Sequence, residues 1–343
     1  MVLVIAEAGV NHNGSRELAL ELVRIAAKSG ADAVKFQTFT ADNLVLKGAE
    51  KADYQKKQTG DGDQHSMLKK LEMSPELHQE LITLCNTLGI EFMSTAFDND
   101  ALDFLVDHGI KRIKIPSGEL TNHPFIRHIA SKNLPIILST GMANLNEIID
   151  AKQVIEDERQ KWGFNTPIRE VLTILHCTSN YPASPESVHL NAISTIAKAT
   201  NVPIGYSDHT LGTAVSTAVV ALGATVIEKH FSISKGLPGP DHAASLEPDE
   251  LNKLVSDIRI VSEAMGLPEK KPTESELAVR SLVRRSITMV SDLKKGQVLK
   301  QEHITFMRPG NGIQPKELEN VIGLKVKKSV SAGSTLQWAD IEV

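Results

Sequence analysis

Apolar and β-branched residues gather in eight short runs along the first three quarters of the chain. Between the runs, apolar positions spread to the three-to-four spacing of one helix face. The runs are residues 3–9 (LVIAEAG), 33–39 (AVKFQTF), 91–97 (EFMSTAF), 112–118 (RIKIPSG), 135–141 (PIILSTG), 171–178 (VLTILHCT), 203–209 (PIGYSDH) and 224–231 (ATVIEKHF). The clearest helix lies in SRELALELVRIAAKSG, where Ser15 supplies a cap, Leu18, Leu22 and Ile25 share a face, and Gly30 ends the pattern. Further helical patterns occupy residues 74–89, 98–109, 122–133, 144–160 and 213–223.

Eight strands alternating with helices over residues 1–266 predict a (β/α)8 TIM barrel, with an open doubly wound sheet as the alternative. The polar residues decide between them. Nearly every run carries one at its C-terminal end: Glu7, Lys35 and Gln37, Thr95, Lys114 and Ser117, Ser139, Thr178, Ser207 and His209, Glu228 and His230. An open sheet needs such residues only beside its switch point, whereas a closed ring aims all of them at one pocket.

Past Gly266 the pattern changes. Residues 267–281 begin with the charged, proline-containing LPEKKPTESE and read as an exposed linker. Residues 282–343 alternate short strands with Gly turns and predict a small β-rich module. Two echoes of one phrase, DLKKGQVLKQEHI (292–304) and SVSAGSTLQWADI (329–341), predict a pseudo-repeat inside it.

Composition narrows the classes. A chain of 343 residues with 41% hydrophobic content can bury a full core, and a net charge of -5 without a basic stripe excludes nucleic acid and anionic membranes as partners. Cys85 and Cys177 are too few for a disulfide framework, no Cys/His spacing reads as structural zinc, and a reducing cytoplasm is the expected compartment. Glu7 interrupts the N-terminal apolar run, which reads as a first strand; no apolar segment reaches spanning length.

Strand parity then sorts the ionisable groups. Glu228 and His230 are two apart and share a face while Lys229 points the opposite way; Ser207 and His209 share a face of the preceding strand. With adjacent strands in register, inward groups lie about 5 Å apart, close enough for both imidazoles to hold one divalent ion at about 2 Å each. The competing reading is a pair of hydrogen-bonded core histidines. Imidazole and oxygen donors leave the metal's identity open. Lys35 and Lys114 end the second and fourth strands. With Ser117 and Gly118, Ser139 and Gly141, and Ser207 read at the head of the seventh helix, they describe a cradle for a phosphate or carboxylate.

The stretches IAEAGVNHNGS, VKFQTF, KIPSGE, ILSTGMA, ILHCT followed by YP, GYSDHTLG, IEKHF, GPDHAASLEPDEL and RPGNGI occur in that order. Together they resemble the N-acetylneuraminate (sialic acid) synthase family, with its legionaminic acid relatives, along nearly the whole chain. The resemblance implies a barrel followed by an antifreeze-like (SAF) domain. It also implies condensation of phosphoenolpyruvate with an N-acetylmannosamine-type aldehyde to give a nine-carbon 2-keto acid, N-acetylneuraminate, and phosphate. Legionaminic acid synthesis from a 2,4-diacetamido-6-deoxymannose is the alternative, and pseudaminic acid synthesis a more distant one.

Residue by residue, the resemblance implies that His209 and His230 hold Mn2+, with Mg2+ or Co2+ as alternatives. Lys35, Gln37, Thr95, Lys114, Ser117, Ser139, Ser179 and Ser207 would meet phosphoenolpyruvate, Ser179 standing where relatives can carry Asn. Glu7, Glu119, Tyr181 and Asp241 would meet the sugar, and Glu7, Glu228 and Lys114 would serve the chemistry. Arg308 would contact the N-acetyl group from the tail of the partner chain in a homodimer. The long segment after the second strand, with Tyr54, reads as a lid or as a plain exposed insertion, and the neighbour of Asp241, His242, has no assigned part. Two other classes compete: a barrel aldol-type synthase for sugar phosphates, which calls for additional Arg/Lys, and a non-catalytic binding protein, which would not need Lys114, His209 and His230 together.

Overall fold

The computed structural model describes residues 1–342 and divides into two compact units, Met1–Gly266 and a second from Leu267 onward. In the first unit eight parallel strands close into a barrel in sequence order. They are β1 (Leu3–Gly9), β2 (Ala33–Thr38), β3 (Glu91–Ala96), β4 (Ile113–Ile115), β5 (Ile136–Ser139), β6 (Leu172–Cys177), β7 (Ile204–Asp208) and β8 (Val226–His230). Every strand falls within a run read from the pattern.

Closure follows from what the two faces carry. Leu3, Ile5, Ala33, Met93, Ile137, Leu175 and Val226 pack inside the ring as an apolar floor. The outward-facing residues of the same strands join the surrounding helices in one large core. Because side chains alternate along a strand, both faces of every strand are buried, and only the polar residues at the C-terminal ends remain above the floor. The helices Arg16–Lys28, Pro75–Leu88, Asn99–Asp107, His123–Ala130, Leu145–Lys161 and Ala214–Ala221 match the six patterns read from the sequence.

Two barrel helices, Ala192–Thr200 and Pro248–Ala264, were not anticipated. Ala192–Thr200 starts at Asn191 without a side-chain cap. Pro248–Ala264 opens with Pro in its first turn and a Glu247/Glu250 capping box, a start signal that was available. The segment between β2 and β3 folds into short helices, Ala41–Leu44, Asp53–Thr59 and Gln64–Lys69, before the helix Pro75–Leu88. Leu44, Leu68 and Leu71 pack with Val10, Phe39 and Phe97, which seats this insertion on the barrel.

In the second unit the segment expected as a linker carries a ten-residue helix, Glu274–Val283, with a Thr273/Glu276 capping box that its polar composition concealed. Beyond it, β9 (Ser286–Met289) and β10 (Ile304–Met307) pair antiparallel around a small apolar core. The pseudo-repeat is visible as structure. Gly296 and Gly333 sit at φ +84° and +82°, and each phrase ends in a 3-10 turn, Gln301–His303 and Trp338–Asp340. No helix among the described residues is long and apolar enough to cross a membrane.

Candidate active site

The strand register agrees with the side-chain parity. Ser207 aligns with Glu228 and Asp208 with Lys229 across β7 and β8, and Glu7 aligns with both Lys35 and His230. Glu7, Lys35, Thr95, Lys114, Ser139, Ser207, His209, Glu228 and His230 are all buried.

At the centre, two carboxylates and two ammonium groups neutralise one another. Lys35 Nζ lies 2.6 Å from Glu7 Oε2 and 3.7 Å from Glu228 Oε2, while Lys114 Nζ lies 3.3 Å from Glu228 Oε1. Lys35 also donates to Thr95 Oγ1 at 3.0 Å, Lys114 to Ser139 Oγ at 2.7 Å, and Ser207 Oγ to Glu228 Oε1 at 3.1 Å. Burial alone would raise the Glu228 carboxyl, but Lys114 and then Lys35 outweigh it and hold it down at about 2. Burial pushes Glu7 up to about 7, against Lys35 and with the Glu228 charge adding to the rise. One carboxylate is therefore held ionised and its neighbour is poised to carry a proton near neutrality, the separation that assigns acid and base duties. Burial lowers Lys114, with Glu228 opposing.

The anion cradle differs from the sequence expectation at one residue. Ser207 is not at the head of a helix, since it lies within β7 and the next helix begins at Ala214. Its hydroxyl serves Glu228 instead. The rest assembles: Ser117 Oγ accepts from the Gly141 N–H at 2.8 Å, and a Cβ on Gly141 would collide with Ser179 Oγ and press on Ser117 Oγ. Gln37 aligns with Thr95 in the ladder. Glu119 ends the turn after β4, where Oε2 accepts from Asn122 Nδ2 at 2.7 Å. Arg308 is exposed in the second unit.

His209 and His230 stand with ring centroids 5.5 Å apart. His209 Nδ1 donates to the Thr178 carbonyl at 2.7 Å, which leaves Nε2 its lone pair, and His230 Nδ1 is buried without a hydrogen-bond partner. Burial lowers His209 to about 4 and His230 well below the usual histidine range, so both rings are neutral donors at pH 7. Gly9, at φ +52° beside an irregularity in the β1 ladder, makes room: a Cβ there would sit 3.2 Å from His230 Cε1 and 3.3 Å from Glu7 Oε1. The donors suit a divalent ion. No cluster of three His, Cys, Asp or Glu ligands occurs among the described residues, so an ion here would complete its shell with water and substrate oxygens.

The loop after β8 is clasped by the loop after β1. Asn11 Nδ2 donates to the Phe231 carbonyl and to Ser245 Oγ, and Asn13 Nδ2 to the Pro238 carbonyl. His242 answers with Nε2 at 3.1 Å from Asn13 Oδ1 and Nδ1 at 2.6 Å from Ser232 Oγ. The part of His242 is thus to hold the turn that carries Asp241, whose carboxyl burial raises to about 6. Tyr181 lies over His209 with centroids 4.0 Å apart, and Tyr54 stacks on Tyr181 at 5.1 Å. Sequence reasoning passed over Cys177 as a site neighbour, although strand parity placed it: its Sγ lies 3.8 Å from His209 Nδ1.

A closed parallel barrel with a buried, charge-balanced ring of residues at the C-terminal ends of its strands defines a barrel enzyme. The chain belongs to the NeuB family, whose profile matches residues 22–270, and a SAF domain matches residues 284–342. It is 52% identical over 340 residues to the N,N'-diacetyllegionaminic acid synthase of Legionella pneumophila, covering 99% of this chain and 94% of that protein. With the protein of the same name from Campylobacter jejuni it shares 47% identity, over 94% of each chain. Among solved structures, N-acetylneuraminic acid (sialic acid) synthetase from Leptospira borgpetersenii superposes with a TM-score of 0.71 at 31% identity, covering 81% of this chain and 89% of that one.

Proposed function

We propose that this chain is an N,N'-diacetyllegionaminic acid synthase, condensing phosphoenolpyruvate with an open-chain 2,4-diacetamido-6-deoxymannose and releasing phosphate. The observation that carries the choice of product is its identity to two proteins of that name, 52% and 47%, over nearly the whole chain. This reverses the order of the two products weighed from sequence, where N-acetylneuraminate came first.

Lys35 and Lys114, with Thr95, Ser117, Ser139 and Ser179, receive the phosphate and carboxylate of phosphoenolpyruvate, and Gln37 lies alongside. Each incoming anion makes the two ammonium groups more firmly charged and Glu7 more readily protonated. Phosphoenolpyruvate C3 forms a bond to the aldehyde carbon, whose oxygen takes the proton that Glu7 carries. Water adds to C2, and the C–O bond to phosphate breaks. Glu7 accepts the proton from the attacking water. Glu228, held ionised, keeps Lys35 and Lys114 aligned on the anion. His209 and His230 would hold Mn2+, with Mg2+ or Co2+ as alternatives, and the bound ion would supply Lewis-acid polarisation of the aldehyde oxygen. Asp241, Tyr181 and Glu119 meet sugar hydroxyl and amide groups.

Arg308 is proposed to reach the acyl group of sugar bound in the partner barrel of a homodimer. Mixing Arg308→Ala chains with Glu7→Gln chains should restore part of the lost activity, and no recovery would place Arg308 elsewhere. The reaction itself is tested by phosphate release from phosphoenolpyruvate with Mn2+ and either sugar. Turnover of the diacetamido sugar at higher kcat/KM than N-acetylmannosamine is expected; turnover of neither sinks the synthase reading.

A further inference from the structure

The insertion between β2 and β3 is braced rather than loose. Lys51 Nζ donates to the carbonyls of Gly60 and Asp61, both at 3.1 Å, the Ala52 N–H donates to Gln55 Oε1 at 3.0 Å, and Asp63 Oδ2 accepts from the Gly48 N–H at 2.7 Å. These bonds fix the helix Asp53–Thr59, and Tyr54 in that helix meets Tyr181, with ring centroids 5.1 Å apart. The Tyr54 ring lies 25° from parallel with Tyr181, which in turn covers His209. His209, Tyr181 and Tyr54 follow one another in ring contact, from the buried His209 to the half-buried Tyr54.

We propose that Tyr54 forms the outer wall of the sugar subsite and sets its preference for a sugar with an acetamido group at C4 and a methyl at C6. The proposal rests on the reading of the chain as a synthase whose aldehyde carbon is placed beside His209 and His230. A sugar chain anchored there runs outward past Tyr181, so the carbons far from the aldehyde come to Tyr54. One face of the Tyr54 ring is taken by Tyr181; the apolar surface that remains rewards the CH groups of an acetyl or a C6 methyl, while hydroxyls at the same positions would lose water without compensation there. Pocket contacts of this size discriminate by about 10-fold to 200-fold.

The test compares Tyr54→Ala, Tyr54→Leu and Tyr54→Phe with the parent, measuring kcat/KM for the diacetamido sugar and for N-acetylmannosamine and the KM for phosphoenolpyruvate. Alanine and leucine should lower kcat/KM for the diacetamido sugar at least about 10-fold and for N-acetylmannosamine far less, with phosphoenolpyruvate KM unmoved. Phenylalanine, which keeps the flat ring, should retain the preference. A ratio between the two sugars that stays constant through the series overturns the proposal, as does a loss expressed through phosphoenolpyruvate KM. A parent enzyme that prefers N-acetylmannosamine refutes the choice of product, and the series still reports whether Tyr54 controls the ratio. Leucine guards against an alanine variant that folds poorly.

Discussion

Lys229 Nζ lies 2.8 Å from Asp208 Oδ2, with both side chains essentially removed from solvent, on the outer face of the two strands whose next residues are His230 and His209. Lys229 also donates to the Thr210 carbonyl at 2.5 Å, and Asp208 accepts from Thr210 N, Thr210 Oγ1 and Ser216 Oγ. The pair ties the ends of β7 and β8 together behind the histidines. Breaking it strands a buried charge: Lys229→Met should lower unfolding free energy by about 3–5 kcal/mol in urea titrations. Adding Asp208→Asn to that variant should cost much less than a second independent loss, because the charge left without a partner is gone. Full additivity would show that the two residues do not act as a pair.

Asp241 predicts a pH dependence of stability. Its folded value of about 6 stands above the ordinary 3.8, so the native state holds its proton more tightly than the unfolded chain. The stability this gives is fully present below pH 3.8 and is lost as pH rises through about 6. Relative to the parent, Asp241→Asn should therefore gain stability across that window, by on the order of 3 kcal/mol at neutral pH. The same variant should bind sugar more weakly. Parallel stability curves for parent and variant would contradict the placement of this carboxyl.

Glu7 is the proton carrier in the account, and Glu7→Gln preserves its shape while removing that duty. The expected result is a fall in kcat of about 100-fold or more, with phosphoenolpyruvate KM little changed because Lys35 and Lys114 remain. A purely positional role would raise KM instead.

His209 and His230 are tested by metal removal. Chelation should abolish turnover and Mn2+ should restore it. His209→Ala should weaken Mn2+ binding, read directly by titration calorimetry, by at least the roughly 10- to 100-fold that loss of an outer-shell partner alone causes. Unchanged binding would leave the two rings as core histidines.

Much of this site could be read before the fold was known, because strand parity is a local rule. Glu228 and His230 were separated from Lys229 by spacing alone, and the register confirmed it. The partner of Lys229 was less legible, since Asp208 becomes its neighbour only when β7 and β8 align. Tyr54 and Asn13 were harder still. Tyr54 reaches Tyr181, and Asn13 reaches His242, across long stretches of chain, and no period in the sequence encodes those meetings. Ser207 differs for a related reason: a Ser in an apolar run looks like a cap, while the five residues His209–Thr213 separate β7 from the next helix.

The most direct measurement offers the purified enzyme equal concentrations of 2,4-diacetamido-6-deoxymannose and N-acetylmannosamine, with phosphoenolpyruvate and Mn2+, and identifies the nine-carbon products by mass. The account predicts that the diacetyllegionaminic acid product predominates from the first turnovers, with one phosphate released per product. Predominance of N-acetylneuraminate, or phosphate release without either acid, would contradict it.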